Sequence, residues 1–370
     1  MALIKTNARG QSSNLGRRNL IINGAMQVAQ RGTSATVGPN GTGEGYTVVD
    51  RIRNSLNGSV VSTFTQSTDA PSGFGNSAKI EITTADSSLG STEFWNFRYS
   101  SEGQDLQSIA KGTPDAKKIT ISFYVKSNKT GTYTVELEDT DNSRLNSLAY
   151  TVNNASTWER KTLTFNADTT GKFTNDNNLS LRINFWLCSG SQYQGGTFYN
   201  GTWGGDVDSK RVHGSQVNLG DTVGNTWQIT GVQLEVGDTA TDFEHRSFGE
   251  ELALCQRYCH VLTREGSGAN QNMGIGYWAS STVAETYTKF PTTMRSSPTA
   301  SASPITQFYA LIPQQAWNAA SSVGLNEAGT DGCKLAWTVA SNGSFGTNGR
   351  RGTHVGARGD DAKLVFDSEL

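Results

Sequence analysis

The residues best suited to chemistry are aromatic rings set among amides and carboxylates. The stretch SGSQYQGGTFYNGTWGGDVD, residues 189–208, places Tyr193, Phe198, Tyr199 and Trp203 among Gly, Asn and Asp. A ring stacks on the apolar C–H face of a sugar while amides and carboxylates take its hydroxyls, so this composition fits a glycan site. Tyr124 and Trp186 join the set, because each falls on the polar parity of its strand and should face away from the core. The same six rings would serve equally in a subunit interface, where Tyr and Trp are enriched. Trp95, Phe97 and Tyr99 of FWNFRY share one parity and read as core.

Catalytic signatures are missing from the sequence: it holds no G-x-S-x-G, no P-loop, no H-E-x-x-H, and four histidines, His213, His245, His260 and His354. Asp206 and Asp208 could serve a glycosidase, but GGDVDSK around them reads as loop chemistry. No cofactor is called for. EDTDN, residues 138–142, clusters oxygens of the kind that calcium takes, although alternating Asp and Asn also simply form turns. Cys255 and Cys259, with His260 adjacent, lie at helical i, i+4 spacing and read as buried thiols on one helix face, so no metal site is assigned. Cys188 and Cys333 belong to strand-like segments and read as core; the Arg358-Gly359-Asp360 tripeptide is a chance match in a Gly-rich turn.

Residues 1–18 hold Lys5, Arg9, Arg17 and Arg18 and no acid, with Leu3, Ile4 and Leu15 as small apolar anchors. Such an arm can order on docking to an acidic or apolar groove of another protein. Nucleic acid as a partner would need interleaved aromatics and a charge excess, whereas the chain's net charge is −2. No stretch approaches the ~20 apolar residues that span a bilayer, so no membrane insertion is expected. MALIKTNARG lacks the apolar core of a signal peptide, which predicts synthesis and folding in the cytoplasm.

The elements that must position these residues are strands. Charged residues make up 17% and hydrophobic ones 35% of the 370 residues, below the usual shares of roughly 25% and 45–50%, with turn-forming small residues in their place. That length suggests two folded units, or three. LIINGAMQVAQRG predicts a short strand, a turn at Asn23-Gly24 and a second strand. KITISFYVKS, GTYTVELED and LSLRINFWLC alternate, with Ile121, Val135 and Ile183 among the inward residues and Lys126, Glu136, Glu138, Arg182 and Asn184 facing out. WQITGVQLEV changes phase at Gly231, as a β-bulge would make it do. Ser247 and Glu250 form a capping box that opens a helix over 248–262. Further short alternating segments follow, ending in AKLVFDSEL. The expected fold is all-β, with antiparallel sheets packed face to face. An arm (1–18), a β-domain (19–247), a connector helix (248–262) and a small C-terminal β-sandwich (263–370) complete it.

NLIINGAMQVAQRGTS, GQDLQ, SFYVKSNKTGTYTVEL and WQITGVQLEVGDTATDFEHRSFGEELALCQRYC resemble a module of bacteriophage tail-fibre and virion-fibre proteins, common in phages of cyanobacteria and other aquatic bacteria. FPTTMRSSP is similar to the C-terminal part of such proteins, so the likeness covers roughly residues 19–300. The resemblance implies tandem jelly-roll sandwiches, the first like a carbohydrate-binding module, in a non-enzymatic structural protein of a virion. It implies a homotrimer, attached to other virion proteins through the basic arm and displaying its β-domains toward a host cell-surface glycan. A polysaccharide-degrading tailspike enzyme and a purely structural decoration or adaptor protein are the alternatives. The family carries no sugar-binding residue set that transfers by position.

Overall fold

The apolar parity of each alternating strand lies in the core, and much of the polar parity is buried as well. Ile119, Ile121, Phe123 and Val125 are all buried, as are Tyr133, Val135 and Leu137, and Leu181, Ile183, Phe185 and Leu187. The computed structural model describes residues 17–39, 42–263, 271–311, 317–340, 352–358 and 361–370. The chain divides into two compact units, the first ending at Glu251 and the second comprising Leu252–Glu369.

Twelve strands build the first unit. They are β1 (Ser34–Val37), β2 (Ile52–Asn57), β3 (Val61–Ser67), β4 (Ser77–Thr84), β5 (Phe94–Glu102), β6 (Ile119–Ser127), β7 (Gly131–Asp139), β8 (Arg144–Val152), β9 (Glu159–Phe165), β10 (Leu179–Ser189), β11 (Gly204–Gly205) and β12 (Thr226–Val236). They form two six-stranded sheets, ordered β1-β3-β4-β12-β6-β9 and β11-β8-β7-β10-β5-β2. The chain passes repeatedly from one sheet to the other, the topology of a jelly-roll sandwich. Aromatic rings bridge the layers: Phe97 of β5 meets Phe64 of β3 edge-on at 5.8 Å and Trp227 of β12 at 5.2 Å between centroids. Each such ring buried contributes about 1.5–3 kcal/mol.

The sequence predicts a hairpin around Asn23-Gly24, and the turn is present, with Met26 N–H donating to Asn23 O at 2.9 Å. No strand flanks it, because side chains take the backbone groups that a ladder would use. Asn19 donates to Val232 O at 3.1 Å and accepts from Ile21 N–H and Leu234 N–H. Glu244 accepts from Asn19 N–H at 2.9 Å and Arg18 N–H at 3.3 Å, and Arg246 donates to Asn19 O and Ile21 O. Asn23 N–H donates to Glu251 Oε1 at 2.6 Å. A Cβ at Gly24 would sit 2.1 Å from Val232 O, so only glycine permits this approach. These segments near residues 18–24 and 232–251 thus form a clasp joining the start of the sandwich to its end.

The helix α1 spans Phe248–Gln256, with Ser247 Oγ accepting from Glu250 N–H at 3.3 Å. It stops six residues short of the expected end. Cys259–Thr263 instead form β13, paired along its whole length with β21 (Lys363–Asp367). A five-residue ladder outweighs weak helix propensity in CHVLT. Cys255 and Cys259 therefore share no helix face, although both are buried free thiols.

In the second unit, β13, β21 and β16 (Thr299–Ser303) form a three-stranded sheet. The strands β14 (Gln271–Trp278), β15 (Val283–Lys289), β17 (Phe308–Leu311), β18 (Trp317–Ala328), β19 (Gly332–Val339) and β20 (Gly352–Ala357) close into a barrel, ordered β14-β15-β19-β18-β17-β20. A second sandwich was the expectation here. Sandwich and barrel strands both keep one inward face, so their alternation is the same; closure is decided by β14 pairing with both β15 and β20. Phe308 stacks on Trp337 at 5.4 Å inside.

Candidate functional site

The polar parity of the second sheet is its outer face, and strand register arranges that parity in rows. Reading from β8 to β2, Ser147, Glu136, Asn184, Arg98 and Arg53 stand directly opposite one another in succession. One row away lie Leu145, Glu138, Arg182 and Ser100; on the other side lie Ala149, Thr134, Trp186, Asn96 and Ser55. Side chains in adjacent rows are within reach of each other.

A fixed network links them. Arg98 Nε donates to Asn184 Oδ1 at 2.6 Å, and Asn184 Nδ2 donates to Glu136 at 2.8 Å and to Glu138 at 3.1 Å. Arg182 Nη1 donates to Glu138 at 2.8 Å. Arg211, arriving from the long loop after β10, grips both oxygens of Glu136 at 2.7 and 2.9 Å. Burial alone would raise the Glu138 carboxyl, but Arg182, Arg211 and Arg98 together hold it below its ordinary value. Burial, together with the charges of Arg182 and Arg53, lowers the Arg98 pKa to about 10 against the opposing pull of Glu138 and Glu136. Near Glu138 and Arg182, Leu145, Arg144 and Asp206 help line an open depression of about 260 Å³.

The loop after β10 forms one wall, and it corrects the expectation for Trp186. That side chain does lie on the outer parity but is only 1% exposed, because the loop folds over it. Its ring lies beneath the Arg211 guanidinium at 5.4 Å, against Tyr193 at 5.2 Å and Phe94 at 6.1 Å. Tyr193 thus belongs to the wall. Phe198 packs edge-on against His213, and the Tyr199 hydroxyl donates to Gly205 O. Trp203 turns away, donating from Nε1 to Asn166 O at 2.8 Å and covering the Lys111 ammonium at 5.1 Å. None of the six candidate rings is an exposed platform. Asp208 accepts from Gln192 at 2.7 Å.

The Lys111 ammonium organises the oxygens that the calcium expectation drew on. Buried among them, it reaches Asp139 at 2.5 Å, Asp168 at 3.1 Å, and the carbonyls of Thr170 and Gly171, both at 2.9 Å. Asp139 also accepts from the Asp141 and Asn142 N–H groups, and Asp141 accepts from Thr174 N–H.

No protein-family model matches the chain, and no curated protein does. Among solved structures, the chain is similar to tailspike protein 4 of bacteriophage CBA120 (12% identity, 59% of this chain and 21% of that one, TM-score 0.31). It is also similar to a family 11 carbohydrate-binding module from Clostridium thermocellum solved with a mixed-linked tetrasaccharide (11% identity, 58% of this chain and 99% of that one, TM-score 0.27). A putative sugar-binding protein from Bacteroides thetaiotaomicron matches at 11% identity over 59% of this chain and 99% of that one, TM-score 0.31. The chain spans about a fifth of the length of that tailspike chain, its enzymatically active domain.

On the opposite face of the sandwich, Tyr124 is half-buried against Phe74 at 5.4 Å, and Phe74 in turn meets Phe243 and His245. This cluster caps the outer face of the first sheet. Sequence parity had already turned Glu136, Glu138, Arg182 and Asn184 outward, but it could not show that they are neighbours, nor bring in Arg53, Arg98 and Arg211. Of the arm residues, Arg17 and Arg18 are described, Arg18 tied through its N–H to Glu244; Lys5 and Arg9 lie outside the described residues.

Proposed function

We propose that the first unit binds a glycan along the outer trough of its second sheet and does not cleave it. Arg53, Arg98, Arg182 and Glu138, partly exposed above a buried floor of Ser147, Glu136 and Asn184, carry this reading. Guanidinium, amide and carboxylate groups can each engage neighbouring sugar hydroxyls through two atoms, and a network already locked by hydrogen bonds loses little freedom when the ligand arrives. Glycosidic cleavage needs a protonated carboxyl beside the leaving oxygen. Here Glu138 is held ionised by three guanidiniums, and Glu136 spends both oxygens on Arg211. The sequence likeness to phage fibres supports a virion protein that displays this unit, docked by the basic arm Lys5, Arg9, Arg17 and Arg18.

On an array of bacterial surface glycans, the full chain is expected to bind a defined subset and release no reducing ends. Arg182→Ala and Glu138→Gln are each expected to weaken that binding at least tenfold. Released reducing ends would instead establish a degrading enzyme, and a silent array alongside tight incorporation into particles would establish a decoration or adaptor protein.

Fibre likeness also supports a homotrimer. Light scattering is expected to report about three times the 39.7 kDa chain mass. A monomer at micromolar concentration would end the trimer proposal.

A further inference from the structure

Arg53 and Arg98 stand directly opposite each other across β2 and β5. Like charges in directly paired positions oppose sheet formation, so nothing in the stability of the fold favours this arrangement. Arg98 spends its Nε on Asn184, whereas the buried Nε of Arg53 has no hydrogen-bond partner. Asn96, one row away, is 1% exposed, and its Oδ1 is also unpartnered. The two carboxylates of the trough are already committed, Glu136 to Arg211 and Asn184, Glu138 to Arg182 and Asn184. Arg182 and Arg211 are thus paired with Glu138, Glu136 and Asp208, whereas at the β2 end Arg53 and Arg98 face each other with no carboxylate among the described residues bonded to either.

Resting on the glycan reading above, we propose that the Arg53–Arg98 end of the trough binds an anionic substituent of the sugar, making the ligand an acidic polysaccharide. A carboxylate or sulfate ester placed between the two guanidiniums accepts from their terminal N–H groups and relieves the repulsion across the strands. Recognition of this kind is sensitive to salt, because the charges at the rim are screened within about 10 Å at 0.1 M.

The experiment compares matched acidic oligosaccharides, their carboxyl-reduced counterparts and sulfated oligosaccharides, using wild-type chain, R53Q and R53K at 50 and 300 mM NaCl. Wild type is expected to bind acidic forms at least tenfold more tightly than reduced ones, with affinity falling as salt rises. R53Q is expected to lose that preference and R53K to keep part of it. The thermal midpoint of R53Q without ligand is expected to equal or exceed that of wild type, since the substitution removes a repulsion. Carboxylated ligands preferred over sulfated ones, or the reverse, identify the anion. Equal binding of acidic and reduced forms, unaffected by R53Q, overturns this proposal and leaves glycan binding standing. If no oligosaccharide binds, the glycan reading itself falls.

Discussion

Replacing Lys111 by methionine is expected to cost the first unit about 3–5 kcal/mol, the range for removing one partner of a buried ion pair. Methionine retains much of the lysine volume but supplies no charge or N–H. Asp139 loses its cation, and the Thr170 and Gly171 carbonyls lose a donor. Asp168 keeps Arg144, bound through two N–H groups at 2.8 and 3.0 Å. The deficit should be largest near neutral pH and shrink in acid. Although burial raises the Asp168 carboxyl, Arg144, the Thr170 N–H and Lys111 outweigh it and leave the folded-state pKa below the ordinary value of 3.8. The stability this provides is complete above the unfolded-state pKa and disappears as pH falls through the folded-state one. Without Lys111 part of this pH-dependent stability is already missing, so the gap between variant and wild type should narrow as pH falls toward 4. Urea melts at pH 7 and pH 4 check both statements; a midpoint within error of wild type at both would show that Lys111 does not hold this corner together.

Gly231→Val is expected to cost about 3 kcal/mol or more. Gly231 has φ of +62°, a conformation that a β-branched residue adopts only under strain. The added Cβ would lie 2.7 Å from the Phe74 ring and 3.0 Å from Tyr124. Neither ring can simply withdraw, because Phe74 is also packed against Phe243 and His245. The register of β12 against β6 slips between Thr230 and Gln233, so removing the bulge would turn either Trp227 and Ile229 or Leu234 out of the core. Gly231→Asn, which tolerates positive φ, separates strain from crowding. Denaturation midpoints decide the matter: a valine variant as stable as wild type would mean that the bulge can move elsewhere.

The bulge shows what the sequence makes legible. A phase change in WQITGVQLEV is a local signal, and β12 carries it at the expected residue. Parity is local as well, which is why Trp95, Phe97 and Ile183 fall in the core and Glu136 and Arg182 face outward as their strands predict. Register is not local. That Arg53, Arg98, Asn184, Glu136 and Ser147 form one row depends on pairings between segments up to 86 positions apart, and no single strand records them. Covering is not local either. Trp186 has an outward parity and is nevertheless buried, because Arg211 and Tyr193 return over it. Side-chain capture by Asn19, Glu244 and Glu251 replaces the expected N-terminal hairpin for the same reason: the partners lie more than 200 residues away. The end of α1 was misplaced because the competing partner of CHVLT is the C-terminal strand.

The place of β12 within its sheet bears on how the chain is made. It is the last strand of the sandwich in sequence, yet it lies between β4 and β6. While the chain emerges from a ribosome at about 5–20 residues per second, β4 and β6 wait roughly 5–20 s for the strand that joins them. Their open edges could meet each other in the meantime. Gln228 faces Lys79 on one side and Lys126 on the other, so closing the gap early in that alignment would bring the two ammonium groups together. Charged edges of this kind discourage pairing. Even with Glu81 and Asp69 beside them, the two lysines are expected to disfavour that early pairing until residue 236 has been synthesised.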